Sequence, residues 1–198
     1  MMNLLEKLST EDYIRLKDET GLKHDYHDGR RGYGRRGYGW LVAMSGVTEE
    51  HDLVASAIRN LLWDCLKKKG CRIYSSDIRV FVPVCNKFVY PDATVVCGES
   101  QRHKLPRGAY VLTNPSAIVE VSSEGTVEYD QEEKYHCYQS LESFRAYLLV
   151  APDQVRVEIR KKSTEGSWQT EVFDQKDQTV VVLGYAIAVD QIYEDVMQ

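Results

Sequence analysis

Three features of the sequence predict an α/β (α+β) fold in which a sheet packs against helices. Apolar residues recur at helical spacing from Leu53 to Leu66. Continuous apolar β-type runs occur at ATVVC (93–97) and AIVEV (117–121). Runs of alternating texture then fill the C-terminal third, from VRVEIRK to TVVVLG. A chain of 198 residues suffices to bury one sheet-and-helix core, and no repeat array, linker or composition break divides it. A single domain over 1–198 is expected.

Taken in order, Ser9 followed by TEDYIRLKDE reads as a capped helix with acids in its first turn, where the helix dipole favours them. Gly21 stops it. The segment 22–29 carries Asp25 and Asp28 before a glycine, a short strand entering a turn. Residues 30–39 then repeat RRGYG twice. Glycine, tyrosine and paired arginine bury little, so this stretch is expected to be an inserted flexible loop. It serves either as a tolerated surface duplication or as a nucleic-acid arm, with Arg30, Arg31, Arg35 and Arg36 on phosphates and tyrosines for stacking.

WLVAM (40–44) reads as a strand, and Ser45-Gly46 turns into a long helix from about Thr48. Its apolar stripe is Leu53, Val54, Ala57, Ile58, Leu61, Leu62, Cys65 and Leu66; Lys67–Lys69 and Gly70 close it. His51 lies in the first turn, as either a cap or a group aimed at a cleft. CRIYS, DIRVFV and KFVY are strands, and Pro91-Asp92 heads the central-strand run ATVVC. Residues 98–109 read as a polar surface loop whose His103, Lys104 and Arg107 offer a phosphate contact. SAIVEVSS is a second central strand, and EYDQEEKYHCYQ a helix with Asp130, Lys134 and Tyr138 on one face. FRAYLLV, VRVEIRK, SWQTEVF and TVVVLG follow as strands of an antiparallel meander, and VDQIYEDV as a short helix.

Composition excludes several classes. No apolar run reaches the roughly 18 residues of a membrane span, and the acidic N-terminal stretch does not resemble a secretory signal. A cytoplasmic protein is the default. The five cysteines show no C-x-x-C spacing, which argues against zinc and for reduced, mostly buried thiols. A net charge of −5 argues against a surface that coats nucleic acid generally, though one local basic groove suffices to hold it.

Two acids stand out of place. Glu120 interrupts an apolar run and Asp92 heads another, and burying an unpaired charge is costly. Each is either an ion-pair partner or a metal ligand. Likewise Lys134 is either an i,i+4 partner of Asp130 or a third member of the group.

The order of these parts resembles the PD-(D/E)xK nuclease superfamily, and within it the Uma-type family of small bacterial endonucleases. The match is carried by His24-Asp25-Tyr26-His27-Asp28-Gly29, His51, Asp77-Ile78-Arg79-Val80, Pro91-Asp92 and Glu120-Val121-Ser122-Ser123. It continues through Thr126, Asp130, Lys134, Tyr138 and Tyr147-Leu148-Leu149-Val150. The resemblance implies a restriction-endonuclease-like central mixed β-sheet flanked by helices, with additional antiparallel strands at both ends. In the wider superfamily a lysine follows the second acid by two positions. Here that position is Ser122, and the resemblance implies a migrated lysine at Lys134. The family usually carries Glu where this chain has Asp25, and the RRGYG repeat lies outside its pattern.

The resemblance further implies a metal-dependent endonuclease acting on DNA, with Asp92, Glu120 and Lys134 as catalytic residues. Asp92, Glu120 and the Val121 carbonyl would hold Mg2+ (or Mn2+), a cation that takes hard oxygens and keeps several waters. Neighbouring acids keep the Lys134 ammonium charged, which suits charge stabilisation at phosphorus better than proton abstraction. Asp25, His51, Ser123 and Tyr138 stand as supporting residues, and nucleases of this kind often pair as homodimers. A catalytically inactive nuclease-fold module that binds nucleic acid or protein is the alternative, favoured by the −5 charge and the absent strand lysine.

Overall fold

The computed structural model describes residues 4–20, 23–28, 38–43, 48–105, 109–121 and 128–197. Gly21, Arg30, Arg31, Arg35, Arg36, Ser45-Gly46, Arg107, Ser122, Ser123 and Thr126 lie outside them.

An N-terminal sheet comes first. It contains β1 (Leu4–Ser9), β2 (His24–Asp28), β3 (Tyr38–Ala43), β5 (Val80–Val82), β6 (Lys87–Val89), β8 (Arg102–Lys104) and β9 (Tyr110–Leu112), ordered β1-β3-β2-β6-β5-β9-β8. Helix α1 (Thr10–Thr20) packs Tyr13 and Ile14 against Tyr26 and Phe88 on one face. Ser9 caps α1 reciprocally: its Oγ accepts from the Asp12 N–H at 3.0 Å and donates to Asp12 Oδ2 at 2.7 Å.

The central sheet holds β4 (Cys71–Ser75), β7 (Ala93–Cys97), β10 (Ala117–Val121), β11 (Ala146–Val150), β12 (Val157–Lys162) and β13 (Trp168–Phe173), ordered β13-β12-β11-β10-β7-β4. It is mixed because β10 and β11 run parallel, and a parallel pair needs a crossover. Helix α3 (Glu128–Tyr138) supplies that crossover. A separate hairpin, β14 (Thr179–Val182) with β15 (Tyr185–Ala188), and α4 (Val189–Ile192) close the chain.

The period-2 alternation of the central strands sorts their side chains. Val95, Val119 and Leu148 face α2 (Glu49–Leu66), whose Val54, Ile58, Leu62 and Leu66 are buried against them. Ala55 joins that stripe, whereas Leu53 and Ala57 are only half-buried. Thr48 caps α2, and Gly70 ends the following 3-10 turn at φ 75, a left-handed conformation that glycine adopts without a Cβ penalty. The opposite sheet face presents Val96, Ile118 and Tyr147 to Tyr135 and Tyr138 of α3. Val80, Val82, Val89 and Leu112 of the N-terminal sheet close the same core. Helix α3 is therefore wedged between two sheets.

Several expectations are corrected. Residues 98–109 are not simply a loop: β8 pairs with β9 as a hairpin. DIRVFV is strand only from Val80, and FRAYLLV only from Ala146. Tyr38 and Gly39, placed in the flexible loop by sequence, belong to β3. β1 and β15 carried too little β pattern to be foreseen.

The cysteines are also corrected. Cys71 bonds Cys97 and Cys85 bonds Cys137, leaving Cys65 as a free thiol. Spacing in sequence does not reveal either pairing, because the first is a cross-strand pair between β4 and β7 and the second joins α3 to the turn before β6. A bond closing a 52-residue separation restricts the unfolded chain strongly. Cys85→Ala is accordingly expected to lower the unfolding free energy by about 2–4 kcal/mol in non-reducing buffer. Urea midpoints identical in wild type and variant would show the two sulfurs to be unbonded thiols.

No helix among the described residues is long and apolar enough to cross a membrane.

Candidate active site

Two neighbouring strands set the acids. β10 and β7 pair antiparallel up to Val119 opposite Ala93; Asp92 precedes β7 in a bend and Glu120 follows Val119 in β10, so both acids adjoin the end of that ladder. Asp92 turns its carboxylate onto the adjoining backbone, where Oδ2 accepts from the Val121 N–H at 2.7 Å.

Helix α2 supplies His51 from its first turn. Thr48 Oγ1 accepts from the His51 N–H at 3.3 Å, fixing that turn. The ring then reaches the end of the sheet, with Nε2 3.4 Å from Asp92 Oδ2. That hydrogen bond raises the His51 pKa against the opposing effect of burial, and a bond to the backbone of Val121 adds to it. His51 Nδ1 is buried without a partner among the described residues.

The sign of the linkage follows from the upward shift. Stability from charged His51 is fully present below its ordinary value of about 6.5 and is lost as pH rises through the higher folded value. His51→Gln should therefore depress Tm more at about pH 5.5 than at about pH 9. A gap between wild type and variant that stays constant across that range would contradict the pairing.

Lys134 enters from α3. Its Nζ lies 2.7 Å from Asp25 Oδ2 and 3.9 Å from Glu120 Oε1. Asp25 belongs to β2, and its Oδ1 accepts from the Tyr90 N–H at 3.0 Å. Lys134 thus joins the two sheets through one carboxylate from each. The Asp130 pair considered from sequence involves a side chain outside the described residues. The orientation of α3 is fixed by its adjoining residues. Glu133 meets the buried Lys87 at 3.2 Å, Glu132 meets Arg160 at 2.5 Å, and Cys137 carries the disulfide.

Tyr138, one turn beyond Lys134, is fully buried between Phe144 and Tyr147. Burial pushes its hydroxyl pKa well up, and the Glu120 charge adds to that. The hydroxyl has no hydrogen-bond partner among the described residues.

The side chains of Asp25, His51, Asp92, Glu120 and Lys134 are between 7% and 18% exposed, shielded from bulk water yet reachable. Two of the residues in the family pattern sit elsewhere. Asp77 makes a surface pair with Lys23, which with a neighbouring Ser75 bond lowers its pKa. Arg79 is buried near the Tyr13 and Tyr90 rings. Ser123 and the four arginines of the repeat lie outside the described residues. Sequence reasoning missed Lys87, a buried cation whose only signal is its position inside an apolar strand.

Candidate donors for a divalent cation are two carboxylates and the Val121 carbonyl. Among the described residues no group of three or more His, Cys, Asp or Glu is arranged to hold a metal. Two acids with waters nonetheless suit Mg2+, which binds through one or two carboxylates and dehydrates reluctantly. The hard-oxygen set fits that ion and not a thiolate-preferring metal.

A family model described as Uma2, putative restriction endonuclease, matches residues 10–190. An uncharacterised protein of Synechocystis, slr1290, is 27% identical over 188 residues, covering 94% of this chain and 92% of its own length. A second from the same organism, sll1609, is 22% identical over 161 residues, covering 81% and 84%. The crystal structure of a putative nuclease belonging to DUF820 from Anabaena variabilis superposes with a TM-score of 0.71 at 16% identity, covering 94% of this chain and 98% of that one. That likeness shows a shared fold.

Proposed function

This chain belongs to the Uma2 family of putative restriction endonucleases, and on that premise we propose that it hydrolyses phosphodiester bonds in DNA in a Mg2+- or Mn2+-dependent reaction. The observation that carries the proposal is that Asp92, just before β7, and Glu120 in the neighbouring β10 both adjoin the Ala93–Val119 pair, with Lys134 Nζ 3.9 Å from Glu120 Oε1. A cation held by Asp92, Glu120 and the Val121 carbonyl supplies Lewis-acid polarisation of the phosphate and a more acidic water.

The protein's own groups do the rest. His51 Nε2 lies 3.4 Å from Asp92 Oδ2, an acid the cation would use, and that contact raises the His51 pKa. Lys134, flanked by Asp25 and Glu120, stays an ammonium and offers positive charge where the phosphoryl oxygens gain negative charge. Its stem is fixed by α3, so little reorganisation is needed as that charge grows. Tyr138 and Ser123 are supporting residues in this reading, and Asp25 is a positioning residue that aims the lysine. A homodimer that cuts two strands and a cytoplasmic location complete it. In a cytoplasm, the two disulfides would face a reducing thiol pool.

The test is a cleavage panel of plasmid, linear, branched and RNA substrates with Mg2+ and with Mn2+, and Asp92→Ala alongside. Cutting of DNA by wild type that disappears with chelator and in the variant is the expected result. Equal activity in wild type and Asp92→Ala refutes the proposal.

A further inference from the structure

The nuclease reading leaves open what grips the substrate away from the acids, and the register of the N-terminal sheet points to a place. Tyr26 pairs with Phe88, so Asp25 falls opposite Val89 at the next step. Val89 pairs with Val80, Val80 with Leu112, and Leu112 with Arg102. Paired residues in a sheet share a face. Asp25, which holds Lys134, and Arg102 therefore stand in one row on one face, four strands apart, or about 19 Å at 4.8 Å per strand.

Lys104 and its cross-strand partner Tyr110 follow two residues along that face. Arg102 and Lys104 are exposed, and Tyr110 is 54% exposed. His103 and Val111 point the other way, where the His103 ring lies 5.7 Å from Phe81 and Val111 is buried. The hairpin is anchored at its base. Asn114 accepts from the Gln101 N–H at 2.8 Å and donates to the Glu99 carbonyl at 2.9 Å.

The hairpin carries positive charge that the fold does not neutralise. Lys23, Lys87, Arg160 and Lys161 each have an acidic partner. Among the described residues, Arg102 and Lys104 have none. In a chain of net charge −5, two unmatched cations beside an exposed aromatic ring are a local excess of positive charge. Cations two residues apart on a strand are separated by about 6.7 Å, two axial steps of a nucleic-acid strand at about 3.4 Å each.

We propose that Arg102, Lys104 and Tyr110 of the β8–β9 hairpin form a nucleic-acid contact outside the acid cluster. The two cations bind the phosphate backbone, and Tyr110 stacks on an unpaired base when one is present. The inference rests on the nuclease reading. Lysine and arginine also guard exposed sheet edges against pairing with other chains, and the experiment separates that role from nucleic-acid binding.

Full-length protein in EDTA, which prevents cutting, is titrated into a fluorescent DNA duplex of about 30 base pairs and into a single strand of the same length over a range of KCl. Arg102→Ala/Lys104→Ala is expected to weaken binding to both and to reduce the salt slope on duplex by about 2. The exchange Arg102→Lys/Lys104→Arg should keep the slope. Tyr110→Ala should weaken the single strand more than the duplex, because only unpaired bases offer a face. Thermal melting of each variant checks that the hairpin still folds. Wild-type affinity and slope in the alanine pair would overturn the hairpin contact while leaving the nuclease reading intact. Absence of duplex binding by wild type would likewise overturn the hairpin contact, while the nuclease reading stands or falls on the cleavage panel.

Discussion

Asp92→Asn is expected to end metal-dependent cleavage, a loss of at least about 10³-fold, while the protein stays folded and loses only the stability of the His51 pair. The asparagine is chosen because its amide oxygen still accepts from the Val121 N–H, now served by Asp92 Oδ2 at 2.7 Å. What disappears is the charge. Glu120→Gln should behave alike, since Glu120 and Asp92 both adjoin the Val119–Ala93 pair and both supply hard anionic oxygen. The measurement is single-turnover cleavage with Mg2+ or Mn2+ beside a thermal melt. An active Glu120→Gln protein would remove that acid from the reaction.

Lys134→Met should cut cleavage by about 10²-fold, the usual effect of removing one preorganised charge-stabilising group. It should also destabilise the fold. Asp25 is 5% exposed and its Oδ2 is 2.7 Å from the ammonium. Removing one partner of a buried pair costs about 3–5 kcal/mol, whereas replacing both by uncharged groups is often near neutral. The double variant Asp25→Asn/Lys134→Met should therefore regain most of the stability and none of the rate. The amide introduced by Asp25→Asn retains an acceptor for the Tyr90 N–H. Turnover unchanged in Lys134→Met would reduce the lysine to a structural ion pair.

Legibility in the sequence followed the locality of the interaction. Helix α2 was readable because Val54, Ile58, Leu62 and Leu66 recur on one face and Thr48 caps it. β7 and β10 were readable as continuous apolar runs, as befits central strands covered on both faces. Asp92 and Glu120 drew notice because an acid beside such a run is costly unless it has a partner.

Contacts between distant segments were not readable. Lys134 was legible as a site residue only through the family resemblance; its reach to Asp25 and Glu120 depends on the seat of α3 between two sheets. Burial of Lys87 depends on Glu133 arriving from α3. Strands β8 and β9 have three residues each and one is wholly polar, too short for a period to register. The disulfides required the β4–β7 register and the seat of α3, neither of which spacing encodes.

The claim on which the rest depends is that Asp92 and Glu120 together hold one divalent cation beside Lys134. Calorimetric titration of Mn2+ into the full chain tests it without any assumption about substrate. A single saturable site in wild type and in Lys134→Met, lost in Asp92→Asn and in Glu120→Gln, is the predicted result. Absence of binding in the wild type, or binding that survives in both acid variants, would contradict it.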